Sequence, residues 1–282
     1  MGFLVALALA LHAFAGLAAA EGPVAFVACA PGYPGSTAEA QPVMDGFATA
    51  LAEAAGWSRG SVRAEYYEDE ARGLERLARP DVGFALVPLP FFLKHEARLK
   101  LVAQARAVAE GGRADETWAL VAAEGKLTAP AVLDGWEILS SAAYAPRFVR
   151  GTALGGWGTV PASARLVVSG AVLSGLRRAA AGEKVALVLD SAETAALPSL
   201  PFAKELDVVA RSASMPATVV CSLAGRVTPA RIEAVRKALL ALAQRPSGSV
   251  ALAAMRTESF VALDPESLLR ARAAYLAVKD PR

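Results

Sequence analysis

The chain has 282 residues, of which 55% are apolar and 20% charged, and its formal net charge is +2. That composition excludes a disordered polyelectrolyte, which combines low hydrophobicity with high net charge, and it supplies chain for one large domain or two ordinary lobes. Lys and Arg form no block of five or more, which excludes the concentrated positive charge of a nucleic-acid groove.

Residues 1–20 contain no Asp, Glu, Lys or Arg, and the apolar run from Leu4 to Leu17 is broken only by His12 and Gly16. Ala18-Ala19-Ala20 then gives the small-x-small pattern of a cleavage site, so 1–20 read as a signal peptide and Glu21 as the mature start. An uncleaved anchor is the alternative, since about 20 apolar residues can span a bilayer. No Cys follows the run, which excludes lipid attachment there.

Beyond the leader, strand-like and helix-like segments alternate, the pattern of parallel sheets covered by helices. Val24 to Ala28 is a short apolar strand that stops at the loop Pro31-Gly32-Tyr33-Pro34-Gly35. A helix follows on Val43, Phe47 and Leu51, whose spacing puts them on one face. Val62, Ala64 and Tyr66 alternate as a strand, Leu74 and Leu77 mark a helix, and Asp81 to Leu89 reads as a buried strand ending in a loop from Pro88 to Phe92. Glu116 to Ala123 is a further strand.

The pattern then restarts as a smaller unit, with strands at Trp136 to Ser140, Arg165 to Ser169 and Lys184 to Asp190 and a helix over Ala171 to Ala181. Leu206 to Arg211 and Ala217 to Ser222 read as the return crossing to the first unit. Thr228-Pro229 and Asp264-Pro265 each place a capping side chain before a helix-starting proline, and each is followed by an apolar helical face. The expected division is a first lobe of 21–123 and 211–282 and a second lobe of 124–210.

Four stretches taken in order resemble the substrate-binding components of phosphate, phosphite and phosphonate ABC transporters: VAFVACAPGYPGST, RPDVGFALVPLPFFLKH, AAAGEKVALVLDSAET and LDVVARSASMPATVVCS. The resemblance runs from about Glu21 to Ala262. It implies an α/β, two-lobed type II periplasmic-binding fold, with two open, mostly parallel sheets joined by two crossing segments. It also implies a monomer that captures a small oxyanion, such as a phosphate or phosphonate, by hinge closure near Glu124 and Arg211, and then docks on a membrane permease. The sequence departs from the family where SAAYAPRFVRGTALGGWG lacks a Ser/Thr-Gly run and where Ala186 stands in place of an Asp.

In open α/β sheets ligands sit outside the carboxyl ends of the strands, where helix N-termini offer unpaired N–H groups. Candidate ligand contacts are therefore Tyr33, Ser36 and Thr37 after the first strand and Pro88 after the third. In the second lobe they are Ser140, Ser141, Tyr144, Ser169, Asp190 and Ser191. Ser36, Thr37, Ser169 and Ser191 equally suit helix caps. Asp190 repels anions, so in the cleft it would point to a cationic or hydroxylated ligand. Arg147 and Arg150 could pair with an anion.

Catalysis is not expected. His95 is the mature portion's one His, no G-x-S-x-G or phosphate-loop fingerprint occurs, and the run Glu68-Asp69-Glu70 reads as a solvated face. A sensor or accessory domain of the same fold, and a family member that has lost binding, are the other readings. Cys29 and Cys221 are the chain's cysteines. Both sit in apolar runs and read as buried thiols, a disulfide being the alternative open to an exported chain. No cofactor or metal site is expected, since no Cys/His cluster occurs.

Overall fold

The structure is a computed structural model that describes residues 22–33, 35–111 and 113–278. The expected leader lies outside the described residues. Among the described residues no helix is long and apolar enough to cross a membrane.

The first lobe opens with β1 (Val24–Cys29), α1 (Thr37–Ala54), β2 (Val62–Tyr67), α2 (Glu70–Leu77), β3 (Val82–Pro88), α3 (Leu89–Leu99) and β4 (Leu101–Ala109). The chain leaves it through β5 (Asp115–Glu116). The second lobe holds β6 (Ala119–Ala123), β7 (Glu137–Ser140), β8 (Arg165–Val168), α4 (Val172–Ala180), β9 (Val185–Leu189), α5 (Ser191–Ala196) and β10 (Leu206–Arg211). The chain returns through β11 (Met215–Pro216) and closes with β12 (Thr218–Leu223), α6 (Pro229–Leu240), α7 (Pro246–Ala254), β13 (Thr257–Ala262) and α8 (Pro265–Ala277).

The larger sheet runs β13-β4-β12-β3-β1-β2 and the smaller β10-β6-β9-β7-β8, while β5 and β11 pair as a ribbon between them. β1 is parallel to both its neighbours and is buried at every position, which is why its sequence is uninterrupted apolar. β2, at the sheet edge, alternates instead. The smaller sheet has its parallel core in β8, β7 and β9.

Two expectations are corrected by the hydrogen bonding. The stretch 119–123 pairs antiparallel with β9 and β10, so it is a strand of the second lobe and the first crossing lies ahead of it. Its apolar face cannot distinguish two sheets that meet at a ribbon. Residues 88–92 are not a loop. Pro88 is the N-cap of α3 and Pro90 lies in its first turn, where a missing N–H removes no helical bond.

Three cores divide the molecule. One lies between α1, α6, α7 and the larger sheet, and one under α4 and the smaller sheet. The largest runs through both lobes. It joins Val27, Val87 and Phe92 of the first lobe to Trp118 and Met215 at the crossings, to Ile138 and Phe148 of the second lobe, and to Leu268 and Tyr275 of α8.

In the α1-facing core Phe26 stands edge-on to Phe47 at 5.1 Å and stacked on Phe84 at 6.1 Å. Replacing a fully buried ring removes both transfer energy and packing. Phe26→Ala is expected to cost about 3–5 kcal/mol, read as a lowered midpoint in urea unfolding. A loss under about 1 kcal/mol would contradict this packing.

Candidate functional site

The carboxyl ends of β1, β3, β7 and β9 meet where the lobes face each other. The lobes touch here. Gly32 has φ +83°, and a Cβ on it would overlap the Ser141 carbonyl of the second lobe. Glycine meets both demands at once, the left-handed backbone and the close approach. Gly170, after β8, lies against the Gly32 carbonyl.

Tyr33 stands beside this contact. Burial, and then the nearby carboxylates Glu116, Asp190 and Glu193, raise its phenol well above the usual value. These acids come from separate elements: Glu116 from β5, Asp190 from the end of β9, and Glu193 from the first turn of α5. Glu116 is 8% exposed, and the Trp118 indole donates to it at 2.9 Å. Desolvation, reinforced by Asp190, pushes it up to about 8. Glu193 is pushed up to about 7 by the same two causes, and Asp190 is raised by burial. No Lys or Arg among the described residues forms an ion pair with any of them. With no cation beside them, Glu116 and Glu193 hold their protons up to near neutral pH, because ionisation in low dielectric is costly.

The opposite side of the contact presents hydroxyls. Ser141 Oγ and Tyr144 Oη are buried and have no hydrogen-bond partner. Tyr144 Oη lies by the backbone N–H of Phe91 in the first turn of α3, without closing a bond of good geometry. That turn has no side-chain cap; its Leu89 N–H donates to the Ala217 carbonyl at 3.0 Å and Pro90 has none to give, so the Phe91 N–H and the helix dipole are what it presents here. Lys94 of α3 donates to the Tyr144 carbonyl at 2.6 Å, pairs with Glu70 at 2.7 Å, and lies over the Tyr144 ring.

The remaining sequence candidates are engaged locally. Ser36 and Glu39 form a capping box on α1. Thr37 donates both its backbone N–H and its hydroxyl to Glu68, at 2.9 and 2.5 Å, so an internal carboxylate occupies this helix end. Ser140 Oγ donates to Val188 O and accepts from Ala142 N. Ser169 Oγ accepts from Ala171 N. Ser191 Oγ bonds both backbone groups of Thr117, pinning α5 to the first crossing. Asp190 caps α5. Pro88 is buried at the end of β3.

Arg150 is spent on the carbonyls of Val160, Pro161 and Ala164, and Arg147 reaches Val278 O and the Tyr275 ring. The run Glu68-Asp69-Glu70 is only in part a solvated face: exposed Asp69 caps α2, while Glu68 holds Thr37 and Glu70 bonds Lys94 and His95. His95 is 5% exposed, buried by its contact with Phe91 and Glu70. Cys29 and Cys221 are free and buried. Open grooves of about 340 and 400 Å³ border Gly22, Trp57, Arg226 and Arg231, at the amino ends of β1 and β3. They lie away from the strand ends that face the second lobe.

Glu116, Glu193 and Lys94 carried no sequence signal of their own. Each becomes part of the site through pairing between distant segments. Glu193 was visible as a residue of a helix start and Glu116 as the first residue of a strand.

Residues 158–268 match the family described as the periplasmic substrate-binding protein of phosphonate ABC transporters. No curated protein sequence matches the chain. Among solved structures, XAC2383 from Xanthomonas citri bound to chloride is 19% identical with a TM-score of 0.68, over 91% of this chain and 99% of that one. The binding-protein component of a phosphonate ABC transporter from Pseudomonas aeruginosa is 15% identical with a TM-score of 0.64, over 91% and 87% of the two chains. PhnD1 from Prochlorococcus marinus, in complex with methylphosphonate, is 11% identical with a TM-score of 0.61, over 91% and 99%. At these identities the likeness establishes the shared two-lobed fold.

The raised carboxylates give a pH dependence whose sign follows from linkage. Between the ordinary 4.5 and the folded values of about 8 and about 7, the folded chain keeps protons that the unfolded chain has released. Stability is therefore greatest near the lower end and falls as pH rises through that window. The ligand-free protein is expected to lose melting temperature from about pH 5 to about pH 8, with Glu116→Gln flattening the fall. A wild-type profile that is level or rising there would count against the buried carboxylates.

Proposed function

We propose that the chain is a substrate-binding protein of the ABC-transporter type whose ligand is a small zwitterion, a reading supported by the match of residues 158–268 to the phosphonate-transporter binding family and by the two-lobed fold. The observation that carries this reading is the set of carboxyl groups, buried Glu116 and half-buried Asp190 and Glu193, grouped around Tyr33 with no Lys or Arg among the described residues paired to them. An ammonium group placed among them stabilises their ionised forms and expels the protons held by Glu116 and Glu193. The anionic end then faces Ser141 and Tyr144, whose hydroxyls stand unpaired, beside the Phe91 N–H in the first turn of α3. An oxyanion alone would satisfy only the second half of this site and would leave the carboxyl groups of the first without a cation.

The ligand enters between the lobes and is enclosed as Gly32 and Gly170 come together, with β5 and β11 as the flexing ribbon. The closed form is what a permease would recognise. The protein works as an exported monomer, released after Ala20, and its mature mass measures this directly: retention of 1–20 would indicate an anchor instead.

Titration calorimetry with an aminoalkylphosphonate, methylphosphonate and neutral amino acids tests the ligand class. The aminoalkylphosphonate is expected to bind more tightly at pH 8 than at pH 6, to release protons, and to lose at least about tenfold in affinity in Asp190→Asn, equivalent to about 1.4 kcal/mol. Methylphosphonate binding as strongly as its amino counterpart would overturn the cationic half. At about 100 times its dissociation constant a true ligand adds about 2.7 kcal/mol of stability, so thermal shifts absent for every oxyanion would overturn the anionic half.

A further inference from the structure

The C-terminal helix α8 follows β13, an edge strand of the first lobe's sheet, yet its packing is with the second lobe. Its partner there is a single π-helical turn, Phe148–Ala153. The backbones meet directly: a Cβ on Gly151 would stand 2.6 Å from Ala274 O. Thr152 Oγ1 donates to Ala271 O at 3.4 Å, Arg147 Nε donates to Val278 O at 2.8 Å, and the Arg147 guanidinium lies over Tyr275 at 4.8 Å. Leu268, Ala271 and Tyr275 are buried in the same core as Phe148 and Val149.

Toward the first lobe's α3 the polar and ring contacts of α8 come from one side chain. Arg272 Nε pairs with Glu96 at 2.8 Å and its guanidinium lies over Phe92 at 5.4 Å. The paired side chains are 31% and 28% exposed, a setting in which water screens an ion pair and weakens it. A second polar tie between α3 and the second lobe is Lys94 to the Tyr144 carbonyl.

We propose that α8 is a part of the second lobe in motion: when the lobes separate it travels with the Phe148–Ala153 turn, and Leu263-Asp264 flexes as a third hinge beside the β5 and β11 crossings. Arg272 and Lys94, gripping α3 from one side and the other of this boundary, are the ties that opening must break. Sequence connectivity assigns α8 to the first lobe, and side-chain packing assigns it to the second. The buried glycine contact at Gly151 decides between them, because close-packed backbones cannot slide without unpacking.

Distance measurements between spin labels test this without a ligand. Leu276 of α8, Leu173 of α4 and Val250 of α7 are 66%, 45% and 73% exposed. Each can be changed to Cys, in pairs, while Cys29 and Cys221 stay buried. The three pairs are compared in the otherwise wild-type chain and in Lys94→Met/Arg272→Gln, which removes both ties. The expected result is that Leu276–Val250 and Leu173–Val250 lengthen or broaden together while Leu276–Leu173 stays fixed. A fixed Leu276–Val250 with a changed Leu276–Leu173 would overturn the assignment. No change in any pair would overturn the role of the two ties. If the double variant does not fold, Arg272→Gln alone carries the same comparison, since its side chain lies at the surface.

Discussion

The placement of Trp118 is the constraint on which the rest of the structure depends. It sits in the first crossing, 1% exposed, and its backbone exchanges bonds with Ser212 of the second crossing: its N–H donates to Ser212 Oγ and its carbonyl accepts from Ser212 N–H. Its ring meets Phe148 edge-on at 5.2 Å and so anchors both crossings to the second lobe. Its indole N–H donates to Glu116 and so aims that carboxylate between the lobes. One residue thus fixes the hinge, the core and an acid of the site. A buried indole finds a partner because leaving its donor unsatisfied is costly, and the partner here is a carboxyl group. The protonated form of Glu116 leaves a carbonyl oxygen for the indole and a hydroxyl to donate, whereas the ionised form has no such donor to give.

The two halves of the site are built from different physics. The carboxyl half keeps its protons on Glu116 and Glu193 until a cation arrives, since no neighbouring cation offsets the cost of ionising them. The hydroxyl half is orphaned until an acceptor arrives. Such groups are rare in folded interiors, and their grouping where two lobes touch is what separates this contact from an ordinary domain interface. Internal carboxylates have already taken the other anion-binding end nearby: Glu68 sits on Thr37 at the start of α1. The α1 terminus and the α3 terminus therefore differ in availability, although both are helix starts following strands of the same sheet.

Much of the architecture was legible because it rests on local chemistry. The apolar run of β1, the Thr228-Pro229 and Asp264-Pro265 helix starts, and the alternation of strands with helices are statements about a few adjacent residues, and the structure carries each of them. The sheet to which 119–123 belongs was not legible, because a buried apolar strand reads alike in either sheet. The same limit applied to α3: Pro88-Leu89-Pro90 suggested a loop, while a proline in a first helical turn is equally permitted. The site divided along this line. Tyr33, Ser141, Tyr144 and Asp190 could be named from their positions after strands, and the structure brings them to the inter-lobe contact. Glu116 and Lys94 could not, since their roles arise from pairings across dozens of residues, and Glu193 showed only its local capping box with Asp190, not its approach to Tyr33. The solvated-face reading of Glu68-Asp69-Glu70 failed at its two glutamates for the same reason: Glu68 is held by Thr37 and Glu70 by Lys94 and His95, while exposed Asp69 caps its own helix.

The contact at Gly32 also limits how the protein can bind. A shared core across the lobes means that separation cannot be a free parting of two globules. Exposing Phe92, Trp118 and Phe148 together would cost far more than a weak ligand returns, at about 25 cal/mol for each Å² of apolar surface. Opening must therefore pivot about that core and part the lobes at its other flank, where the neighbours are glycine backbone, hydroxyls and acids. There the desolvated carboxylates favour separation, because water lowers the cost of their ionisation, and the Lys94 and Arg272 ties oppose it. A cationic ligand reverses the first term without touching the second. Differential affinity for the closed state is the one way a ligand can shift such a balance, and in this fold that difference is the charge it brings to Glu116, Asp190 and Glu193.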